Sequence, residues 1–489
     1  MIDRAIARLP QATPLAALKI PVAAALLLVV LALLATGVGG AELLAGLTAL
    51  LIVLAAAVLD RRLLVPLIIV ALPLEIWEEL SPIQFDGSSL VDRLGRSTVL
   101  NAGRMAIIAL GVYWLLTARS RWEERLPRSG LLVPAFAVGI LYVLGSLYSR
   151  DTEQGLIFTV TMALHLALLV MIPVFVADRQ TLWLCVWAFI GVMWILAFVG
   201  IYLQVTDTFL WNPDLGFDDT PRINTTFLDP NIYARVLVIA MVLTIVASFQ
   251  LPQEWRLAFI AAVLAPCALA LIFTNSRSGW LVAAMALLVM IALTPIRPRA
   301  RAAALTAAAI GALAAAAVGE VVFDAKFLDR LQTLTEGSEA LGAREYLIDA
   351  AWAMFRDHPV FGLGLGSFQE AFLGPYSHYN LNPELGVSLS HTEVLTILAE
   401  LGIVGAIIVA FLFVRYGALV VNLYRAASLG DRALAAGFGV SVLVIFVSSQ
   451  AEARLLNDPY LWLMFGLTLA LEGILRRERG LDPPLPDEA

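Results

Sequence analysis

Charge is what this sequence has least of. Asp, Glu, Lys and Arg together make up 15% of its 489 residues, where a soluble globular domain carries about 25%. So few charges cannot cover the water-exposed surface of a chain this long, which excludes a soluble enzyme and leaves no basic face for a nucleic acid. Cysteine is also scarce. Cys185 and Cys267 both fall in apolar runs and read as small packing residues, not as a disulfide or a metal pair. The four histidines form no His-x-x-x-His pair and there is no paired-cysteine motif, so a zinc site is not expected. Nor does the start of the chain read as a cleaved signal peptide, because its first apolar run lacks a small-residue cleavage site.

What the sequence does have is hydrophobic length. Apolar residues make up 60% of it, mean hydropathy is +0.86, and nearly uncharged runs of about 20 residues, enough to cross a bilayer, recur from end to end. Fourteen such runs can be read: 20–38, 41–59, 63–77, 101–117, 131–148, 156–176, 182–204, 232–250, 257–274, 280–294, 303–322, 392–414, 433–450 and 460–475. The third is short and the fourth contains Arg104. The expected fold is an all-α polytopic integral membrane bundle of 12–14 transmembrane helices. Residues 1–322 form its N-terminal bundle, 323–391 a large loop, 392–475 the C-terminal spans and 476–489 an unstructured tail.

Lys and Arg orient the spans. With the N-terminus inside, the inside segments hold about twice as many cations as the outside ones despite being shorter, as the positive-inside tendency requires. The long connections 78–100, 205–231 and 323–391 then lie outside, and loops of that length usually carry function. Within the longest, residues 343–357 place Leu347, Ile348, Ala351, Trp352 and Phe355 on one helical stripe, an amphipathic helix lying on the membrane or capping the bundle.

Four arginines stand at or near the outer boundary. Arg222 precedes a span that Asp229 and Pro230 are suited to start, as N-cap and first helical residue. Arg277 sits in the tight turn Thr274-Asn-Ser-Arg-Ser-Gly279, and Arg344 begins the amphipathic helix. Boundary arginines commonly serve as headgroup anchors. Arg235 lies one turn inside its span and shares a face with Asn231, so it reads equally as part of an outer site or as an interhelical ion pair.

Among the histidines, His165 is mid-span and reads as a hydrogen-bonded core residue, and His358, before Pro359, reads as a turn residue. His378 is an exposed loop residue. His391 follows Ser390, and Ser390 with Glu393 has the spacing of a capping box, which starts a helix at the outer boundary. At a first helical position the helix dipole disfavours the imidazolium, leaving a neutral imidazole fit to act as a general base. The plain alternative is a solvated residue in a capped turn. Gly362-Leu-Gly364-Leu-Gly366 has neither a preceding strand nor a following lysine, and reads as a turn, not a phosphate loop.

In this order the features resemble the O-antigen ligase and O-antigen polymerase superfamily. The matching residues are Arg222 with Thr226-Phe227 and Pro230-Asn231, then Asn275-Ser276-Arg277-Ser278-Gly279. They continue with Arg344, Trp352 and Pro359-x-x-Gly362-x-Gly364, and end with His391-Thr392, Leu395, Glu400, Gly402 and Gly405. The resemblance covers about 200–410. It implies a membrane glycosyltransferase of the bacterial inner membrane, with its active site on the periplasmic side. The donor would be an undecaprenyl diphosphate-linked glycan and the acceptor a glycan, lipid or protein hydroxyl. No metal or cofactor is implied. His391 would be the base, and Arg222, Arg277, Arg344 and Arg235 would hold the diphosphate. Threonine after His391, where ligases often carry asparagine, leaves the acceptor class open. The alternative is a membrane transporter or flippase for an anion or lipid-linked intermediate, against which stand the sparse mid-span charges and the lack of an internal repeat.

Overall fold

A computed structural model describes residues 60–74, 102–117, 129–208, 222–227, 229–294, 298–323, 337–380, 390, 392–426, 428–452 and 455–481. Among these residues the fold is helical and without strands. In chain order the helices are α1 (Leu64–Ala71), α2 (Ala102–Thr117), α3 (Leu132–Leu147), α4 (Thr152–Phe175), α5 (Arg179–Thr206), α6 (Pro230–Ser248), α7 (Gln253–Phe273), α8 (Arg277–Leu293) and α9 (Pro298–Phe323). They continue with α10 (Gly337–Asp357), α11 (Phe368–Leu373), α12 (Glu393–Ala426), α13 (Leu429–Glu452) and α14 (Pro459–Glu478). Six described helices, α4 to α7, α12 and α13, are long and apolar enough to cross a membrane. The first two apolar runs of the sequence, 20–38 and 41–59, lie outside the described residues. The third, 63–77, yields only the eight-residue α1, about 12 Å of helix, which is too short to span.

The centre is set by α6 and α14. Every residue of α6 from Ile232 to Thr244 is buried, so this helix is surrounded by protein on all sides, as an all-round apolar pattern demands. It packs against α5, α7, α8 and α13, while α14 lies against α4 and α13, and α12 against α3, α10 and α13. One continuous core runs from Leu64 to Leu475. Cys185 and Cys267 are buried in it as free thiols. The helix expected to stop near 475 continues to Glu478, because Arg477 donates to the Ala177 carbonyl at 2.5 Å and Glu478 pairs with Arg179.

The amphipathic helix of the long loop is present as α10, but rotated from the expected stripe. Leu347, Ala350, Ala351 and Met354 are buried against Phe368, Phe372 and Ala399, whereas Trp352 is 45% exposed. The i, i+3, i+4, i+7 set through Ala350 faces the bundle because two small alanines let α10 close on α12. The bulkier Ile348, Trp352 and Phe355 are left on the flank.

Candidate functional site

Arg222 begins a short plug, 222–227, fixed at every step. The Ile223 amide donates to Phe273 O at 3.2 Å and the Phe227 amide to Asn224 O at 2.9 Å, closing a turn in which Thr225 has φ +51°. Thr226 Oγ1 donates to Pro73 O at 2.6 Å. Phe227 is fully buried and stacks on Tyr233 at 5.4 Å. From this base Arg222 Nε donates to Thr274 O at 3.0 Å and Nη2 to Asn231 Oδ1 at 2.8 Å.

Two helix starts meet the arginine there. Asp229 caps α6 by accepting from the Asn231 amide, with Pro230 at the first position, as its sequence requires. Ser276 caps α8 by accepting from the Gly279 amide at 3.1 Å, and its hydroxyl donates to the same Asn231 Oδ1 at 2.8 Å. Arg277 is the first residue of α8 and is half-buried. A Cβ at Gly279 would lie 2.8 Å from Ala234 Cβ, so glycine is what lets α8 close on α6 and bring the two starts together. Helix N-termini present unpaired N–H groups and the positive end of the dipole, a ready setting for an anion.

Arg235 points elsewhere. It is 1% exposed, with Nη2 3.3 Å from Glu452 and 3.1 Å from Asp458. Asp458 also caps α14. The Glu393 carboxylate, close enough to feel Arg235, takes the backbone N–H groups of Leu455 and Leu456. The capping box expected of Ser390 and Glu393 is therefore not made. Ser390 Oγ accepts from the Thr392 amide at 3.2 Å, and Glu393 is drawn into a tertiary contact because its buried carboxylate finds fixed donors there. His391 lies outside the described residues, and so does the Arg344 side chain, although its helix α10 is described. His165 is buried, stacks on Trp462 at 6.3 Å and bonds the Leu456 backbone. His378 lies beside Tyr379 at 4.3 Å.

The glycine-rich segment after α10 is a turn, and it repairs a broken helix. Gly402 has φ +62° and interrupts α12. The carbonyls of Ala399 and Glu400 accept from the Leu363 and Gly364 amides, each at 2.9 Å, and the Ile403 amide donates to Pro359 O at 2.9 Å. Backbone groups freed by the break are thus paired inside protein, which an apolar setting demands. A Cβ on Gly402 would sit 2.3 Å from Val360 O, and one on Gly362, at φ +69°, 2.3 Å from Glu400 C. The Glu400 carboxylate completes the crossing by accepting from the Gly366 amide at 2.9 Å and the Phe368 amide at 3.0 Å.

Comparison with known proteins bears on these elements directly. Residues 260–410 match the family described as O-Antigen ligase. The chain is also 27% identical over 411 residues to the teichuronic acid biosynthesis protein TuaE of Bacillus subtilis (strain 168), covering 78% of this chain and 80% of that protein. The chain thus carries an O-antigen ligase-type region over residues 260–410. It is a glycan-transferring membrane enzyme of that type.

Within this ligase-type fold the matched region runs from α7 to the middle of α12. It takes in Arg277, Arg344 and the Gly402 crossing, while Arg222 and Arg235 lie before it. The structure brings Arg222, Asn231, Ser276 and Arg277 to one place and gives Arg235 to carboxylates. Glu452 and Asp458 went unnoticed in the sequence. The pair Asp458-Pro459 repeats the helix-start signature of Asp229-Pro230, the one signal that could have singled it out.

Proposed function

We propose that this enzyme moves a glycan from undecaprenyl diphosphate to an acceptor hydroxyl on the extracytoplasmic face of the bacterial inner membrane, inverting the anomeric carbon without metal or nucleotide. The observation that carries this reading is the meeting of Arg222 with the capped starts of α6 and α8, the latter bearing Arg277. A diphosphate is a good leaving group and needs charge compensation more than a proton. Arginine forks and helix N-termini supply that compensation. Arg222 is already oriented by Thr274 O and Asn231, which reduces the ordering cost when the donor binds. Arg344, on α10, adds a cation from the cap. Arg235 serves the site by holding Glu452 and Asp458, not by touching substrate.

In the transfer step the acceptor oxygen bonds to the anomeric carbon as the bond to the diphosphate oxygen breaks, and the electron pair leaves on the diphosphate. His391 accepts the hydroxyl proton, a contribution of about 10²–10⁴-fold for a positioned base. The Lys/Arg asymmetry supports an extracytoplasmic position for this end, and the relative named for teichuronic acid biosynthesis supports an envelope polymer as the setting.

The test is transfer by the purified protein, in EDTA, from an undecaprenyl diphosphate glycan to candidate acceptors. Release of undecaprenyl diphosphate by wild type, lost in Arg277→Ala and His391→Ala, is the expected result. A ladder of repeats marks a polymerase and a single addition a ligase. Full turnover by His391→Ala would remove the base assignment. Movement of the donor across vesicle membranes without transfer would make the protein a flippase.

A further inference from the structure

The cap formed by α10, α11 and the turns between α10 and α12 carries large apolar side chains that the described residues leave exposed. Phe361 is 60% exposed and Val360 49%, although both lie in the tightly bonded crossing at the break in α12. Their backbone is fixed: Tyr148 Oη donates to Phe361 O at 2.8 Å and the Val404 amide to Val360 O at 3.3 Å. Tyr148 itself is exposed at the end of α3, as is Trp352 on α10, where its ring lies 5.4 Å from Phe355.

What these residues adjoin identifies their partner. Helices α3 and α12 pack side by side, and each exposes an apolar stripe, Phe136, Ile140 and Leu147 on one and Ile407, Phe411 and Val414 on the other. On helices of a polytopic membrane protein, such stripes face lipid. Tyr148 follows directly on the first stripe, and Val360 is hydrogen-bonded at the head of the second, so the exposed patch continues the lipid-facing surface beyond the spans. Arg150 and Arg356 beside it are also exposed. Of the nearby acids, Asp151 caps α4 and Asp357, itself exposed, accepts from the Tyr376 hydroxyl. Aromatic and aliphatic side chains rimmed by arginine suit the boundary between acyl chains and phosphate headgroups.

We propose that Tyr148, Trp352, Val360 and Phe361 form a foot seated in the lipid–water boundary, with bilayer lipid as its partner. The foot fixes the depth of the crossing at Gly402, and through it the height of the cap, relative to the membrane. This goes beyond the transfer reaction and does not depend on it.

Spin labels on the full-length protein in bilayer nanodiscs test the idea. Cys185 and Cys267 stay in place because both are buried. Val360→Cys, Phe361→Cys and Trp352→Cys are compared with Phe411→Cys in the lipid-facing stripe and with Glu345→Cys, which is exposed on α10. A depth parameter compares collision with oxygen, which concentrates in lipid, and with a water-soluble nickel chelate. It is expected to be positive at 360, 361 and 352, lower there than at 411, and negative at 345. Values at 360 and 361 as negative as at 345 would overturn the proposal, because the patch would then stand in water. Protection from both reagents would overturn it too, because protein and not lipid would be the cover. Separate labels at 360 and 361 keep the test available if one variant fails to fold.

Discussion

The two ends of the bundle handle charge in opposite ways. At one end Arg179 binds both Asp431 and Glu478, and Arg62 reaches Asp178 at 3.6 Å and Gln180 at 2.8 Å. Those arginines are 39% and 48% exposed, so water reaches both guanidinium groups even though Asp431 itself is buried. At the other end Arg235, Glu452 and Asp458 are each less than 5% exposed, and the Glu400 carboxylate is spent on backbone amides. A buried polar group must find fixed partners or carry its full desolvation cost. The first end therefore ties helix ends loosely, while the second builds a preorganised polar interior beneath the proposed anion site.

That contrast breaks most visibly in catalysis. Arg277→Ala and His391→Ala should each lower transfer by about 10²–10⁴-fold, with thermal unfolding little changed because both are proposed to act on substrate. Arg235→Ala should do the reverse. It removes the cation held between two buried carboxylates, a loss of about 3–5 kcal/mol, visible as a large drop in the unfolding temperature in detergent. A variant as stable as wild type yet inactive would move Arg235 from support to the diphosphate clamp.

A smaller effect should come from the cap. Tyr376 Oη donates to Asp357 Oδ2 at 2.7 Å, and burial together with that carboxylate pushes the phenol up to about 12. An unfolded tyrosine titrates near 10, so the folded cap holds the proton more tightly. The stabilisation is complete below about pH 10 and lost as the pH rises from about 10 to 12. Hydrogen exchange at α11 should speed up across that window in wild type and lose this dependence in Tyr376→Phe. The arginine pairs at the opposite end keep their charges throughout and should show no such step.

The six described helices long enough to span were legible because each needs only a long apolar run, and the start of α6 because Asp229-Pro230 is a local signal. The stripe of α10 was misjudged by about one residue's rotation. Leu347, Ile348 and Ala350 are all apolar, and only packing against Ala399 on α12 selects among them. The motif around Gly362, Glu400 and Gly402 could be seen as a pattern, but its meaning could not. The bonds that give it sense join 359–364 to 399–404, and no local spacing encodes such a crossing. Arg235 presented the same difficulty more sharply, since its partners stand more than two hundred residues away.

The smallest effect should follow Arg179→Ala. The guanidinium holds two carboxylates, but Glu478 is 45% exposed, and pairs of that kind contribute about 1 kcal/mol or less once solvent screening is counted. Asp431 is buried, yet it keeps the Ser428 hydroxyl at 2.6 Å, so it is not left without a donor. The unfolding temperature should fall slightly, the difference from wild type should shrink at high salt as screening removes the pair's contribution, and transfer should be unchanged. A loss as large as that of Arg235→Ala, insensitive to salt, would mean that the exposed end also relies on a buried charge network, and the contrast between the two ends would fail.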